Sequence, residues 1–263
     1  AGIMVYVPFL RYSYYDQMCV LFTQYKQVVP ADSVNGFIGD FGMAFGIVSM
    51  LGYPFGGIFA DRFSEKWLLI AGGVLMGVCS FWFGIVPGKT AVIIIHLLYG
   101  VGTSFLIWSA YLKLTRKMGN AREQGRMFST SEFVRGIFGM LIGFAGVAFL
   151  GKAVLPSGEL DPAALGVQWR NLMFISGGLF FLFALLVLLF IPARVTGAEE
   201  RGDEPQEAFS LGNVIRVLKL PGTWMISALV FCCFSFTSAG NGYLGAYTVN
   251  VLGISETTAS TFA

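Results

Sequence analysis

Seven apolar runs set the terms for everything else in this chain. They cover Gly2 to Tyr25, Val34 to Phe59, Trp67 to Val86, Thr90 to Leu112, Phe128 to Leu150, Asn171 to Ile191 and Thr223 to Leu252. At about 1.5 Å per residue, a helix through any of them crosses the roughly 30 Å of hydrocarbon in a bilayer. Transmembrane barrel strands are far shorter, so the runs read as helices. With 56% hydrophobic and only 12% charged residues, the chain has too few charges to coat a soluble globule. The expected fold class is therefore an all-α polytopic membrane protein. An eighth helix is expected from near Glu256, after the turn Gly253-Ile254-Ser255. The four cysteines, Cys19, Cys79, Cys232 and Cys233, lie within apolar runs and show neither disulfide nor metal-ligand spacing.

Orientation follows from the loops. If the first helix starts in the cytoplasm, the inner loops carry eleven of the 17 basic residues: Arg62, Lys66, Lys113, Arg116, Lys117, Arg122, Arg126, Arg194, Arg201, Arg216 and Lys219. The outer loops then carry Lys26, Lys89, Lys152 and Arg170, while Arg11 and Arg135 lie inside helices. The positive-inside bias favours a cytoplasmic N-terminus. Because the basic residues are spread over such loops, the net charge of +2 gives no reason to expect a nucleic-acid partner.

Between the second and third runs stands Gly57-Ile58-Phe59-Ala60-Asp61-Arg62-Phe63-Ser64-Glu65-Lys66. Gly57, Asp61, Arg62 and Lys66 resemble the loop motif of the major facilitator superfamily, which is Gly, three residues, Asp-Arg, one residue, Gly-Arg-Lys. Ser64 replaces the usual Gly and Glu65 a frequent Arg. Gln168-Trp169-Arg170-Asn171, expected at the outer start of the sixth helix, is similar to a Trp-Arg that members often carry there. His96 lies four residues before Gly100, where many members have an Arg.

The resemblance implies a fold of six helices, a linker and six more. It places an N-terminal six-helix bundle at 1–192, a linker with a short interfacial helix at 193–221, and the start of a second bundle at 222–263. On that reading the chain is a fragment lacking a third or more of a typical member. The linker is acidic, with Glu199, Glu200, Asp203, Glu204 and Glu207. In the amphipathic stretch that follows, Leu211, Val214, Ile215, Val217, Leu218 and Leu220 alternate with Arg216 and Lys219.

Ionisable groups in the bilayer core cost about 2.5–3.5 kcal/mol even on lenient insertion scales, so each calls for a partner, a wet cavity or a function. Arg11 and Asp16 in the first helix, Asp40 in the second, His96 in the fourth, and Glu132 with Arg135 in the fifth all qualify. Arg11 and Asp16 point roughly 140° apart, whereas Glu132 and Arg135 share a face. A mid-membrane ladder is expected between the first and fifth helices, with Arg11 on Glu132 and Asp16 on Arg135. It either locks the helices together or serves coupling, with Asp16 as the proton carrier and Arg135 as the anion ligand. Tyr12 and Tyr15 are candidate substrate contacts near Asp16, and Asn241 and Tyr243 in the seventh helix supply further polarity. Asp40 and His96 form a candidate outer gate. Asp61 is expected to take a hydrogen bond across the inner interface, with Arg116, Arg122 and Arg126 as local alternatives to a partner in the second half.

Helix five carries Gly136, Gly139, Gly143 and Gly146, a spacing that allows close helix approach. It lacks the proline of the superfamily's drug:proton antiporters. Arg122-Glu123-Gln124-Gly125-Arg126 is loosely similar to sugar-phosphate and organic-anion permeases. The seventh helix has no basic residue, however, so phosphate recognition does not carry over. The expected function is secondary active transport of a small polar solute, an organic anion or sugar-like compound, by alternating access with proton coupling. Alternatives are a facilitative sugar carrier, a non-transporting receptor or scaffold, and a lipid translocator. No nucleotide loop, nucleophile elbow or metal cluster marks an enzyme, and no cofactor is expected. The expected setting is the bacterial inner membrane, as a monomer, with lipid, solute and proton as its only partners.

Overall fold

The computed structural model describes residues 14–117, 122–192 and 211–254. The chain divides into two compact units, Ala1–Gly202 and Asp203–Ala263, the break falling inside the stretch read as a linker.

Among the described residues the first unit holds six principal helices. Helix α1 is described over 15–25 and ends in a π-helical turn, Leu21–Tyr25. It is followed by α2 (Val34–Arg62), α3 (Glu65–Gly84), α4 (Lys89–Lys117), α5 (Gln124–Leu150) and α6 (Pro162–Phe190). In the second unit, α7 (Leu211–Leu218) leads through a tight turn into α8 (Pro221–Asn250). In that turn Thr223 Oγ1 and Trp224 Nε1 donate to the carbonyls of Val217 and Leu218. Among the described residues the only β pairing is an isolated bridge, Val154 to Leu160. Five helices of the first unit are long and apolar enough to cross a membrane. The protein is an all-α polytopic membrane protein.

Several helices run further than the apolar runs alone indicate, because hydropathy marks what lies in lipid while the backbone stays helical past it. Helix α4 extends to Lys117, so Lys113 and Lys117 are helical rather than loop residues. Helix α6 begins nine residues earlier than expected. Asp161 caps it by accepting from the Ala163 amide at 2.9 Å, and Pro162 takes the first-turn position. The Trp169-Arg170 pair therefore sits two turns inside α6, not at its start. Likewise α2 runs through the Asp61-Arg62 pair, leaving only Phe63 and Ser64 extended before α3.

Close helix contacts rest on small residues. A Cβ on Gly56 of α2 would lie 2.3 Å from Ser109 Oγ and 2.8 Å from the Ser104 carbonyl of α4. This contact falls on a π-helical stretch of α4, Val101–Trp108, where the Ser109 hydroxyl donates to the Ser104 carbonyl at 3.2 Å. On the other side, α3 meets α6 through Gly77, whose added Cβ would lie 2.8 Å from the Phe181 ring.

A file of rings crosses the first unit. Phe22 of α1 meets Phe41 of α2 (6.1 Å), which lies on His96 of α4 (4.3 Å). His96 meets Phe83 of α3 (5.2 Å), which packs edge-on to Trp169 of α6 (5.3 Å). The Phe22–Phe41 and Phe83–Trp169 pairs each contribute roughly 0.5–1.5 kcal/mol beyond burial.

Candidate functional site

Among the described residues, two polar assemblies interrupt this apolar frame. The first lies where α2 turns into α3. Glu65, the first residue of α3, is only 4% exposed, and one carboxylate oxygen, Oε1, faces Lys117 Nζ at 2.9 Å and Lys113 Nζ at 3.2 Å. The two lysines are four residues apart, one turn of α4, so a single carboxylate reaches both. Lys113 also donates to the Ala60 carbonyl at the end of α2, at 2.6 Å, and Lys66 donates to the Leu188 carbonyl at the end of α6, at 2.8 Å. Both ammonium groups thus meet the negative ends of helix dipoles. Of the two residues that depart from the family motif, Glu65 is the hub that ties α3 to α4. Arg62 is exposed, and Gly57 is exposed with open space at its Cβ position. The Asp61 side chain, whose partner was sought among Arg116, Arg122 and Arg126, lies outside the described residues.

The second assembly lies between α4 and α5. Arg135 donates through Nε, at 2.8 Å, and Nη2 to the same Glu132 oxygen, Oε2. The other oxygen, Oε1, stands 3.5 Å from the Tyr111 hydroxyl of α4, which is 2.5 Å from Ser131 Oγ. Glu132 and Arg135 are both half-exposed. Their spacing of three residues puts them on one face, and that proximity decides the pairing.

This corrects the expected ladder. Helices α1 and α5 do touch, since the Tyr14 hydroxyl donates to the Gly143 carbonyl at 3.1 Å, and a Cβ on Gly146 would collide with that hydroxyl at 2.0 Å. Gly143, however, lies eight residues past Arg135, about 12 Å along α5. Asp16 follows Tyr14 by two residues, roughly 200° around its helix, so it turns away when Tyr14 faces α5. Arg135 therefore takes Glu132 rather than Asp16. The pair also lies nearer the start of α5 than mid-helix, Glu132 being eight residues in, about 12 Å. The Arg11 rung and Tyr12 lie outside the described residues. Asp16 is half-buried, and the Tyr15 hydroxyl is engaged by Asn35 Oδ1 of α2. Gly136 and Gly139 have open space at their Cβ positions, so within this stretch the demonstrated close contact is at Gly146.

The outer gate does not form as expected either. His96 is 2% exposed, its Nδ1 is 2.9 Å from the Val92 carbonyl one turn earlier, and the α2 residue on its ring is Phe41. Asp40 precedes Phe41, about 100° around the helix, and is exposed. Asn241 and Tyr243 belong to α8, but their side chains lie outside the described residues.

Sequence reading missed Tyr111 and Ser131, which bear no charge to draw notice. It also missed the Glu65 hub, although the four-residue spacing of Lys113 and Lys117 was visible.

Among known proteins, the chain is 22% identical to the inner membrane protein YqcE of Escherichia coli K12 over 91% of its length and 55% of the relative's. It is 25% identical to the inner membrane protein YihN of the same organism, over 76% of the chain and 46% of the relative. An uncharacterized MG294 homolog of Mycoplasma pneumoniae is 22% identical, over 72% and 42%. The chain spans about half the length of these curated relatives. The sequence profile of the Major Facilitator Superfamily matches residues 20–263, from α1 through the last residue, and the chain belongs to that family.

Proposed function

We propose that this protein is part of a secondary active transporter that moves a small organic anion or sugar-like solute by alternating access coupled to a proton. The observation that carries the anion reading is the Arg135–Glu132 pair, half-exposed on a membrane-spanning helix. A cation placed there at such cost suits a solute carboxylate that competes with Glu132 for the guanidinium. Family membership supports transport itself, and the names of two relatives as inner membrane proteins support a bacterial inner membrane. The basic residues at the ends of α2, α4 and α5 support a cytoplasmic N-terminus.

Asp16 remains the proposed proton carrier, with Tyr12, Tyr15, Asn241 and Tyr243 as proposed solute contacts. Asp61 and Arg62 are proposed to act in the conformational change rather than in binding. The carrier is proposed to work as a monomer, with no cofactor. The test is ligand-induced thermal stabilisation of the purified full-length protein by sugars, sugar acids and carboxylates at two pH values, beside Asp16→Asn and Arg135→Gln. A pH-dependent shift with an anion, lost in Arg135→Gln, is the expected result. A shift with neutral sugars alone, unaffected in Arg135→Gln, would replace this reading with a facilitative sugar carrier and leave the ion pair a structural one.

A further inference from the structure

Arg135 aims two donors, Nε and Nη2, at one oxygen of Glu132, and so presents the guanidinium edge that takes a planar carboxylate through two parallel bonds. The Glu132 oxygen that Arg135 leaves alone is 3.5 Å from the Tyr111 hydroxyl, beyond the 2.5–3.0 Å of a full O–H···O bond. Tyr111 meanwhile shares a 2.5 Å contact with Ser131 in which either hydroxyl can donate. When Ser131 donates, the Tyr111 proton has no other acceptor in that contact and is available to Glu132. A shift of less than 1 Å closes the gap to bonding distance.

Removing an anion from a buried or half-buried cation ordinarily leaves a carboxylate stranded, and that stranding is the main cost of breaking such a pair. Here a second donor waits on the neighbouring helix. Resting on the anion-carrier reading above, we propose that Tyr111, backed by Ser131, receives Glu132 when a solute carboxylate takes its place on Arg135. Arg135 exchanges one carboxylate for another, so a monocarboxylate keeps the guanidinium pair itself neutral and adds a single negative charge to the site, the one that Glu132 carries to the Tyr111 donor. A doubly charged phosphate brings a second negative charge, and among the described residues the charged or titratable groups that Glu132 meets are Arg135 and Tyr111. The favoured solute class is a hydroxylated monocarboxylate, such as a sugar acid. Tyr111 is a positioning residue, acting through Glu132 without touching the solute.

The experiment measures binding of gluconate, glucose and glucose 6-phosphate to the purified full-length carrier and to Tyr111→Phe, Ser131→Ala, Glu132→Gln, Arg135→Gln and Tyr111→Phe/Glu132→Gln. Gluconate should bind the parent best of the three. Tyr111→Phe should weaken gluconate binding about tenfold, the scale of one hydrogen bond to a charged group, with the ligand-free melting temperature unchanged. Ser131→Ala should act in the same direction and more weakly, and it carries the test if Tyr111→Phe does not fold. Glu132→Gln should tighten binding, and adding Tyr111→Phe to it should change nothing further. Gluconate binding within twofold of the parent in both hydroxyl variants, while Arg135→Gln abolishes it, overturns the hand-off and leaves the anion site standing. A full Tyr111→Phe effect in the Glu132→Gln background also overturns it, because Tyr111 would then act on the solute directly. Gluconate binding that survives Arg135→Gln overturns the anion site itself.

Discussion

Glu65→Gln tests the inner ion-pair hub in a single step. At an effective dielectric of about 20, each ammonium at these separations attracts the carboxylate by about 5–6 kcal/mol. Desolvating three charges opposes this by several kcal/mol apiece, so the net stabilisation from the assembled cluster is small. Breaking it is a different matter, because glutamine leaves two ammonium groups without their shared anion. Removal of one partner from a buried pair costs about 3–5 kcal/mol. The lysine side chains are 22% and 13% exposed and can reach toward water, which places the loss near the lower end, about 3 kcal/mol. If the first unit, Ala1–Gly202, melts as one cooperative body, that corresponds to a melting midpoint lower by roughly 6–12 °C. The assay is thermal unfolding of the full-length protein in detergent, followed by the fraction that stays monodisperse. Lys117→Met removes the other end of the 2.9 Å contact, so the double variant Glu65→Gln/Lys117→Met should lose less than the sum of the two single losses. A Glu65→Gln midpoint within about 1 °C of the parent, with strictly additive effects in the double variant, would refute the hub as a structural tie.

Other expectations follow from the packing. Gly56→Val should abolish folded expression, because its side chain meets the α4 backbone at Ser104, whereas Gly57→Ala should leave the melting midpoint unchanged; equal effects would overturn that assignment. His96→Phe keeps an aromatic ring in the file between Phe41 and Phe83 but overfills a 2% exposed site, and should cost about 1–3 kcal/mol in a denaturation series. Uptake by that variant should keep its pH profile, and lost uptake at full stability would restore His96 to a gating role. Gly146→Val should separate α1 from α5 and be partly rescued by Tyr14→Ala, which removes the ring it strikes, as read by expression and melting.

The helices were legible because lipid imposes one rule on every spanning segment, and an unbroken apolar run satisfies it without reference to neighbours. Where helix ends depend on something else, hydropathy misplaced them. The start of α6 is set by the Asp161 cap and Pro162, both outside the apolar run. The charged candidates were visible because charges are rare here, but their partners were not, since pairing depends on rotation and height. Tyr14 taking the α5-facing position sent Asp16 elsewhere, and the short i to i+3 reach from Arg135 to Glu132 prevailed over an interhelical one. Asp40 and His96 shared a depth but not a direction, and Phe41 filled the place meant for Asp40. Uncharged Tyr111 and Ser131 gave no signal above the many hydroxyls of the chain.

The π-helical stretch Val101–Trp108 makes α4 two half-helices set at independent phases. The half before it is fixed by His96 within the ring file, and the half after it by Lys113 and Lys117 on Glu65. Deleting one residue between them would turn the later half by about 100° and draw it back about 1.5 Å. Both lysines would swing off the carboxylate while the aromatic half stayed in place. Point substitutions on exposed positions of this stretch leave that phase intact, so its length is constrained more tightly than its sequence. An alignment gap in the middle of this spanning helix would therefore mark a relative that holds its inner end by other means.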